Sequence, residues 1–261
     1  MFTDTHCHLD AAEFGIRQPD IVRDAAAAGV NRIVIPAVDR NNFAAVRELC
    51  ERFPHCAPAY GIHPMYTDTA TPKDIETLRE YLQQHPAVAV GEIGLDFFIP
   101  HYDQARQEHF FVEQLKLARD FDLPVLLHIR RAQDTILKHL RQIKVCGGIA
   151  HAFNGSRQQA EEFIRLGFKL GFGGAMTYSR ATRLRELAAT LPLDSIVLET
   201  DAPDIPPDFL ERGQPNKPEY LPRIARTLAE LREMSLEEVA RITSKNVLSV
   251  LPKLELFTTT P

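Results

Sequence analysis

Eight short apolar runs, each followed by a longer amphipathic stretch, limit what this chain can fold into more than any other feature. They are Phe2–His8, Arg32–Pro36, Ala57–His63, Ala87–Glu92, Pro124–His128, Gly148–Phe153, Lys169–Gly173 and Ser195–Thr200. Apolar runs of strand length alternating with helix-length segments predict βα units around a parallel sheet. Eight such units over 261 residues predict an α/β fold of one domain, a (β/α)₈ TIM barrel. Residues 1–257 are assigned to the barrel, and 258–261, with little to pack against, to a frayed tail.

Local signals support the helices. Thr71 before Pro72 suits an N-cap followed by proline at the first helical position. Ser156 with Gln159, and Ser235 with Glu238, fit capping boxes. Between Asp103 and Asp122, the side chains of Phe110, Phe111, Leu115, Ala118 and Phe121 share one broad helical face, which reads as core. The Pro- and Asp-rich stretch Ala202–Pro222 reads as a long loop after the eighth run. Helices around Leu221–Arg232 and Leu236–Leu251 close the fold.

Composition serves mainly to exclude. At 44% hydrophobic and 25% charged, the chain can fill a core and is not disordered. The start MFTDTHCHLD lacks a basic-then-apolar leader, and no stretch reaches the roughly 20 apolar residues of a membrane helix, so a cytoplasmic protein is expected. Cys7, Cys50, Cys56 and Cys146 form no Cys-x-x-Cys pair and are expected to be reduced and structural. A net charge of −5 argues against a protein that coats nucleic acid. An enzyme working on strand ends remains open, because bound dications would supply positive charge where a phosphate sits.

The chemistry gathers at the C-terminal ends of the runs, where barrel enzymes carry their sites. The first run ends in His6-Cys7-His8, and strand alternation points both imidazoles into the barrel and Cys7 toward the helices. The fourth delivers Glu92, a carboxylate that must be paired or bound to a cation where it is buried, so a structural ion pair stays open beside a metal role. The fifth and sixth end in His128 and His151, and the eighth leads to Glu199 and Asp201, which share a facing. His6, His8, Glu92, His128, His151 and Asp201 suit Zn²⁺, or Mn²⁺ and Mg²⁺ where oxygen dominates. Six donors exceed the needs of one open ion and fit two divalent ions better. His63 ends the third run, as a substrate contact or an inert loop histidine. His55, His85, His101, His109 and His139 are expected to be solvated.

Together these residues resemble the TatD family of metal-dependent deoxyribonucleases, within the amidohydrolase-like barrels. The likeness runs in order through Asp4–Asp10, Gly61-Ile62-His63-Pro64, Gly91–Asp96, His128 with Arg130, His151–Ser156 and Glu199–Pro203, and extends to Asn216-Lys217-Pro218 and Asn246. His-x-His alone is a weak signal, whereas the ordered series is specific. The resemblance implies two divalent ions, with His6, His8 and Asp201 on one, His128 and His151 on the other, and Glu92 bridging. It also implies phosphoesterase activity on DNA, often exonucleolytic. Met65 stands where the family often has a second histidine, and Arg131 where it often has an acidic residue. Both departures fall near the substrate rim and neither removes a ligand.

The expected activity is therefore hydrolysis of phosphodiester bonds in DNA ends or single strands, with Asp201 and Glu92 as the catalytic carboxylates. Asp201 would orient the attacking water and take its proton. His63, Arg130, Asn154 and Ser156 would hold the phosphate, the last two beside a helix N-terminus. The alternatives are an amidohydrolase-like enzyme acting on a small amide, lactone or phosphoester with the same metal pair, and a metal-binding scaffold without catalysis.

Overall fold

The computed structural model describes residues 1–257, and the expected frayed tail at 258–261 lies outside them. The strands are β1 (Phe2–Asp4), β2 (Val30–Pro36), β3 (Cys56–Tyr60), β4 (Ala89–Asp96), β5 (Val125–Arg130), β6 (Gly148–Ala150), β7 (Phe168–Phe172) and β8 (Ile196–Leu198). Between them run α1 (Gln18–Ala27), α2 (Phe43–Arg52), α3 (Pro72–Gln84), α4 (Gln104–Asp120), α5 (Gln133–Gln142), α6 (Arg157–Arg165) and α7 (Thr182–Thr190), followed by α8 (Leu221–Arg232) and α9 (Leu236–Val250). All pairings are parallel and follow chain order from β1 to β8. The barrel closes beyond the formal strand ends, through Thr5 N–H to Leu198 C=O (3.2 Å), Asp201 N–H to His6 C=O (2.8 Å) and His8 N–H to Ala202 C=O (2.8 Å).

The predicted helix starts are present as hydrogen-bonded capping boxes at Thr71, Ser156 and Ser235, the first completed by Asp74. Phe110, Phe111, Leu115 and Ala118 are buried as expected. Val34, Ala57, Ala59, Leu126, Ile149 and Val197 fill the barrel interior and pack against Val247, Val250, Leu251 and Leu254. α9 and the turn after it therefore plug one end of the barrel. None of the described helices is long and apolar enough to cross a membrane.

Several strand ends differ from the sequence reading. β1, β6 and β8 stop at Asp4, Ala150 and Leu198, so His6, His8, His151 and Asp201 lie just past the ladder. The backbone turns out of the ladder where Ala152 and Asp201 take positive φ (+43° and +57°). In addition, the buried Asp4 carboxylate accepts the N–H groups of His6 (3.3 Å) and Thr200 (2.9 Å) that a neighbouring strand would otherwise bind. β4 instead runs on to Asp96 in ladder with β5, Asp96 standing opposite Arg130, while on its other edge the buried Gln107 of α4 accepts from Asp96 N–H (2.9 Å) and donates to its carbonyl (3.1 Å). Gln114 does the same for Ile62, past the end of β3.

Candidate active site

Four polar atoms converge at the mouth. His6 Nε2 lies 3.2 Å from His8 Nε2, 3.2 Å from Glu92 Oε2 and 3.6 Å from Asp201 Oδ1. His8 Nε2 lies 3.6 Å from the same Glu92 oxygen and 3.8 Å from the same Asp201 oxygen. A tetrahedral ion with bonds of about 2.0–2.2 Å has ligand–ligand edges of roughly 3.3–3.6 Å, and these five spacings, from 3.2 to 3.8 Å, bracket that range. Two imidazole nitrogens facing each other at 3.2 Å need a shared proton or cation between them, which a purely structural cluster would avoid.

The other oxygen of Glu92 serves a second group. Oε1 is 3.0 Å from His128 Nδ1 and 3.7 Å from His63 Nε2. His6, His8 and Asp201 form one set able to hold an ion, His63, Glu92 and His128 a second, and His6, Glu92 and His151 a third that overlaps both. The geometry thus groups His128 with His63, whereas the resemblance pairs it with His151. His151 is drawn the other way: its ring stacks on His6 at 3.6 Å, and its nitrogens face Glu199 Oε1 (3.1 Å) and Asp201 Oδ1 (3.5 Å).

A second layer of carboxylates orients the imidazoles, as metal-binding histidines require. Asp96, fully buried, lies 3.0 Å from His128 Nε2. Glu199 backs His151 and also accepts the Ala152 N–H at 2.6 Å. Gly171 makes room for it, since a Cβ there would overlap the Glu199 carboxylate. Neither Asp96 nor Glu199 was assigned a role from sequence. Their signal was present: Asp96 lies at i+4 from Glu92, and Glu199 at i−2 from Asp201, each on the facing of its partner under strand alternation.

Electrostatics explain how so many ionisable groups coexist. Burial penalises the His8 charge, but Glu92, Asp201 and Asp10 override it and lift the imidazole to about 9. Burial likewise penalises His151, and Glu199 and Asp201 lift it to about 10. His128 is raised despite burial by Asp96 and Glu92. Burial pushes Glu92 up, yet His6, His63 and His128 hold it well below the usual carboxylate range. Protons thus occupy positions that a cation would take, and the donor set fits divalent metal.

His63 is distinct. Burial, with His128 beside it, lowers it to about 3, so it is neutral. Its Nδ1 accepts the Met65 N–H at 3.1 Å, which leaves the ring proton on Nε2, facing the cluster. In this tautomer the His63 Nε2–H faces the cluster as a hydrogen-bond donor.

Other expected contacts are placed as follows. Arg130 is half exposed, its guanidinium 3.8 Å over the Phe98 ring and 4.0 Å from Asp96 Oδ2; Arg131 lies over the same ring at 4.4 Å. Asn154 is exposed and accepts from Arg183 at 2.9 Å. Ser156 uses both its hydroxyl and its N–H in the capping box with Gln159. It therefore starts α6, with its N–H spent on Gln159 and its O–H still able to donate. His139, expected in solvent, is buried between α4 and α5 with Glu108 at 2.8 Å. All four cysteines are unpaired; Cys7 packs among outer-layer apolar residues, while Cys146 is exposed and has no core role.

A parallel barrel whose C-terminal mouth holds imidazoles and carboxylates at cation spacing belongs to the class of metal-dependent hydrolases. The family model described as TatD related DNase matches residues 3–252, and the chain belongs to that family. It is 44% identical to the metal-dependent hydrolase YjjV of Escherichia coli K12 over 248 residues, 94% of this chain and 95% of that one. It is 31% identical to the 3'-5' ssDNA/RNA exonuclease TatD of Escherichia fergusonii over 250 residues, 94% and 96% of the two chains. The crystal structure of Escherichia coli YjjV superposes with a TM-score of 0.93 at 42% identity, covering 96% of this chain and 98% of that one.

Proposed function

We propose that this metal-dependent hydrolase is a phosphodiesterase that removes nucleotides from the ends of single-stranded nucleic acid, using two divalent ions. The observation that carries the two-ion reading is Glu92, whose Oε2 faces His6 and His8 while Oε1 faces His128. His6, His8 and Asp201 would hold one ion and His128 the other, with Glu92 shared; His151, which the resemblance assigns to the second ion, stands between His6 and Asp201. Zn²⁺, Mn²⁺ and Mg²⁺ are the candidate ions, and such a pair would activate water and offset charge on the phosphoryl oxygens.

The protein's own groups divide the remaining work. Asp201, with its side chain 13% exposed against 3% for Glu92, is the carboxylate that incoming water can reach, so it takes the water's proton and passes it to solvent. His63, neutral with its Nε2–H facing the cluster, donates to a phosphoryl oxygen, and Arg130 and the exposed Asn154 hold the strand at the rim.

The name of the TatD relative, at 31% identity, supports a nucleic-acid substrate and attack from an end. Comparing hydrolysis of a defined single-stranded oligonucleotide with a panel of small amides, lactones and phosphotriesters, each with added metal, tests the reading. Turnover of the oligonucleotide at the higher kcat/KM is expected. Turnover of the small molecules alone would assign the site to an amidohydrolase-like reaction instead.

A further inference from the structure

A narrow cavity of about 140 Å³ opens directly beside Asp201, walled by Phe153, Phe172, Leu184 and Ile205. Ala175 and Ile205 also line a neighbouring, wider surface groove of about 600 Å³, together with Tyr178, Arg180 and Pro206. The proposed mechanism uses the narrow cavity's polar edge, Asp201, Glu199 and Asn154, and leaves the apolar walls without a role. It is smaller than the roughly 300–1,000 Å³ sites that enclose a whole drug-sized ligand, so it suits one ring-sized group rather than a complete substrate.

The backbone around this cavity is held in unusual conformations. Among the described residues, seven non-glycine residues have positive φ, and three of them, Ala152 (+43°), Asp201 (+57°) and Ile205 (+42°), line the cavity. For a β-branched residue such as Ile205 this conformation is strained, and it persists only where the surroundings enforce it. Here they do. The fully buried Asn216 donates to the carbonyls of Thr200 (2.7 Å) and Ile205 (3.2 Å). Tyr178 Oη donates to the Pro206 carbonyl at 3.1 Å. Gly174 packs so close to the Ile205 carbonyl that a Cβ would overlap it. The Ile205 wall is built in advance of any ligand.

Resting on the phosphodiesterase reading, we infer that this cavity is a slot for the base of the terminal nucleotide, whose phosphate lies between Glu92 and Asp201. Three features favour a base over other groups: the apolar walls, the position one residue's reach from the reacting carboxylate, and the cationic groove beyond. Arg180 lines that groove, and Arg183 borders the slot through its hydrogen bond to Asn154; both suit a phosphate backbone. The walls are mainly apolar, and of the polar atoms at the slot Asn154 Oδ1 is taken by Arg183 and Thr200 Oγ1 by Asp4. Stacking against such walls tolerates every base. A paired terminal base must leave its stack to enter, which makes frayed or single-stranded ends the preferred substrates.

The test compares two oligonucleotides, one ending in an ordinary nucleotide and one in an abasic residue, with the metal-loaded protein and with Ala175→Phe and Ile205→Gly. The wild-type protein should favour the base-bearing end by about ten-fold in kcat/KM, mostly through KM, the size of one ring contact. Ala175→Phe fills the slot, and Ile205→Gly removes its wall while relieving the positive φ. Both variants should bring the preference to within about twofold and leave hydrolysis of the abasic-ended strand unchanged. Calorimetry should show the same ten-fold loss for a mononucleotide and none for the corresponding sugar phosphate. If Ala175→Phe does not fold, Ile205→Gly decides, since glycine tolerates that conformation. Equal wild-type rates on both ends, or a folded variant that keeps the full preference, overturns the slot and leaves the nuclease reading standing. Hydrolysis of a small aryl phosphoester with neither strand touched overturns both.

Discussion

Replacing Glu92 with glutamine keeps the size of a 2% exposed side chain and removes only its charge. The lost anion is the one that Oε2 presents to His6 at 3.2 Å and Oε1 presents to His128 at 3.0 Å. Removing one member of a buried charged pair costs about 3–5 kcal/mol, and each 1.4 kcal/mol is about tenfold in affinity. Metal affinity should therefore fall by about 10²–10⁴-fold. The metal-free variant escapes most of this cost, because His8 and His128 can release protons, whereas a bound dication cannot shed its charge. The loss thus falls on metal binding rather than on folding, and it falls on both ions together. Titration with metal, elemental analysis after dialysis and a melting curve would measure it. A folded variant that keeps two ions at wild-type affinity, or loses one and holds the other unchanged, refutes the shared role of Glu92.

Asp201→Asn should lower kcat by about 10²–10⁴ at saturating metal, because asparagine cannot accept the proton; kcat close to wild type, with occupancy confirmed, would leave the proton acceptor elsewhere. Cys7→Ser should leave metal content and turnover within about twofold, since Cys7 packs in the outer layer beside Ala202. It should lower stability by about 1–3 kcal/mol for a buried hydroxyl, and loss of metal from the folded variant would contradict that placement. Metal affinity should rise with pH, because His8 and His151 hold protons up to about 9 and about 10 and a cation must displace them below those values. Indicator competition at pH 6, 7 and 8 should show about a tenfold gain per unit for each displaced proton, and a flat profile would show that these imidazoles are not displaced.

Sequence patterning made the barrel and its mouth legible for a physical reason. Strand alternation and the barrel's directionality act on every βα unit alike, so His6, His8, Glu92, His128, His151 and Asp201 could be placed at one rim without coordinates. What stayed hidden depends on contacts between distant segments. The tautomer of His63 is set by the Met65 N–H, and the end of β4 at Asp96 is satisfied on its free edge by Gln107 from α4. The pairing of Ser156 with Gln159 was visible as a capping box, yet its consequence, that the Ser156 N–H is spent within that box, emerged only from the hydrogen bonds. His139 looked like a surface helical residue until the packing of α4 on α5 brought Glu108 to it. The slot beside Asp201 had no sequence signal, because it depends on the positive φ of Ile205 and the clamp from Asn216.

The most direct test of two-ion phosphodiesterase action is a time course on an end-labelled single-stranded oligonucleotide, using protein whose metal content has been counted beforehand with Mg²⁺, Mn²⁺ or Zn²⁺. The expected result is two ions per chain, stepwise shortening of the strand from one end, and arrest on chelation. An intact strand in the presence of doubly loaded protein, or undiminished cleavage by protein verified to be metal-free, would contradict it.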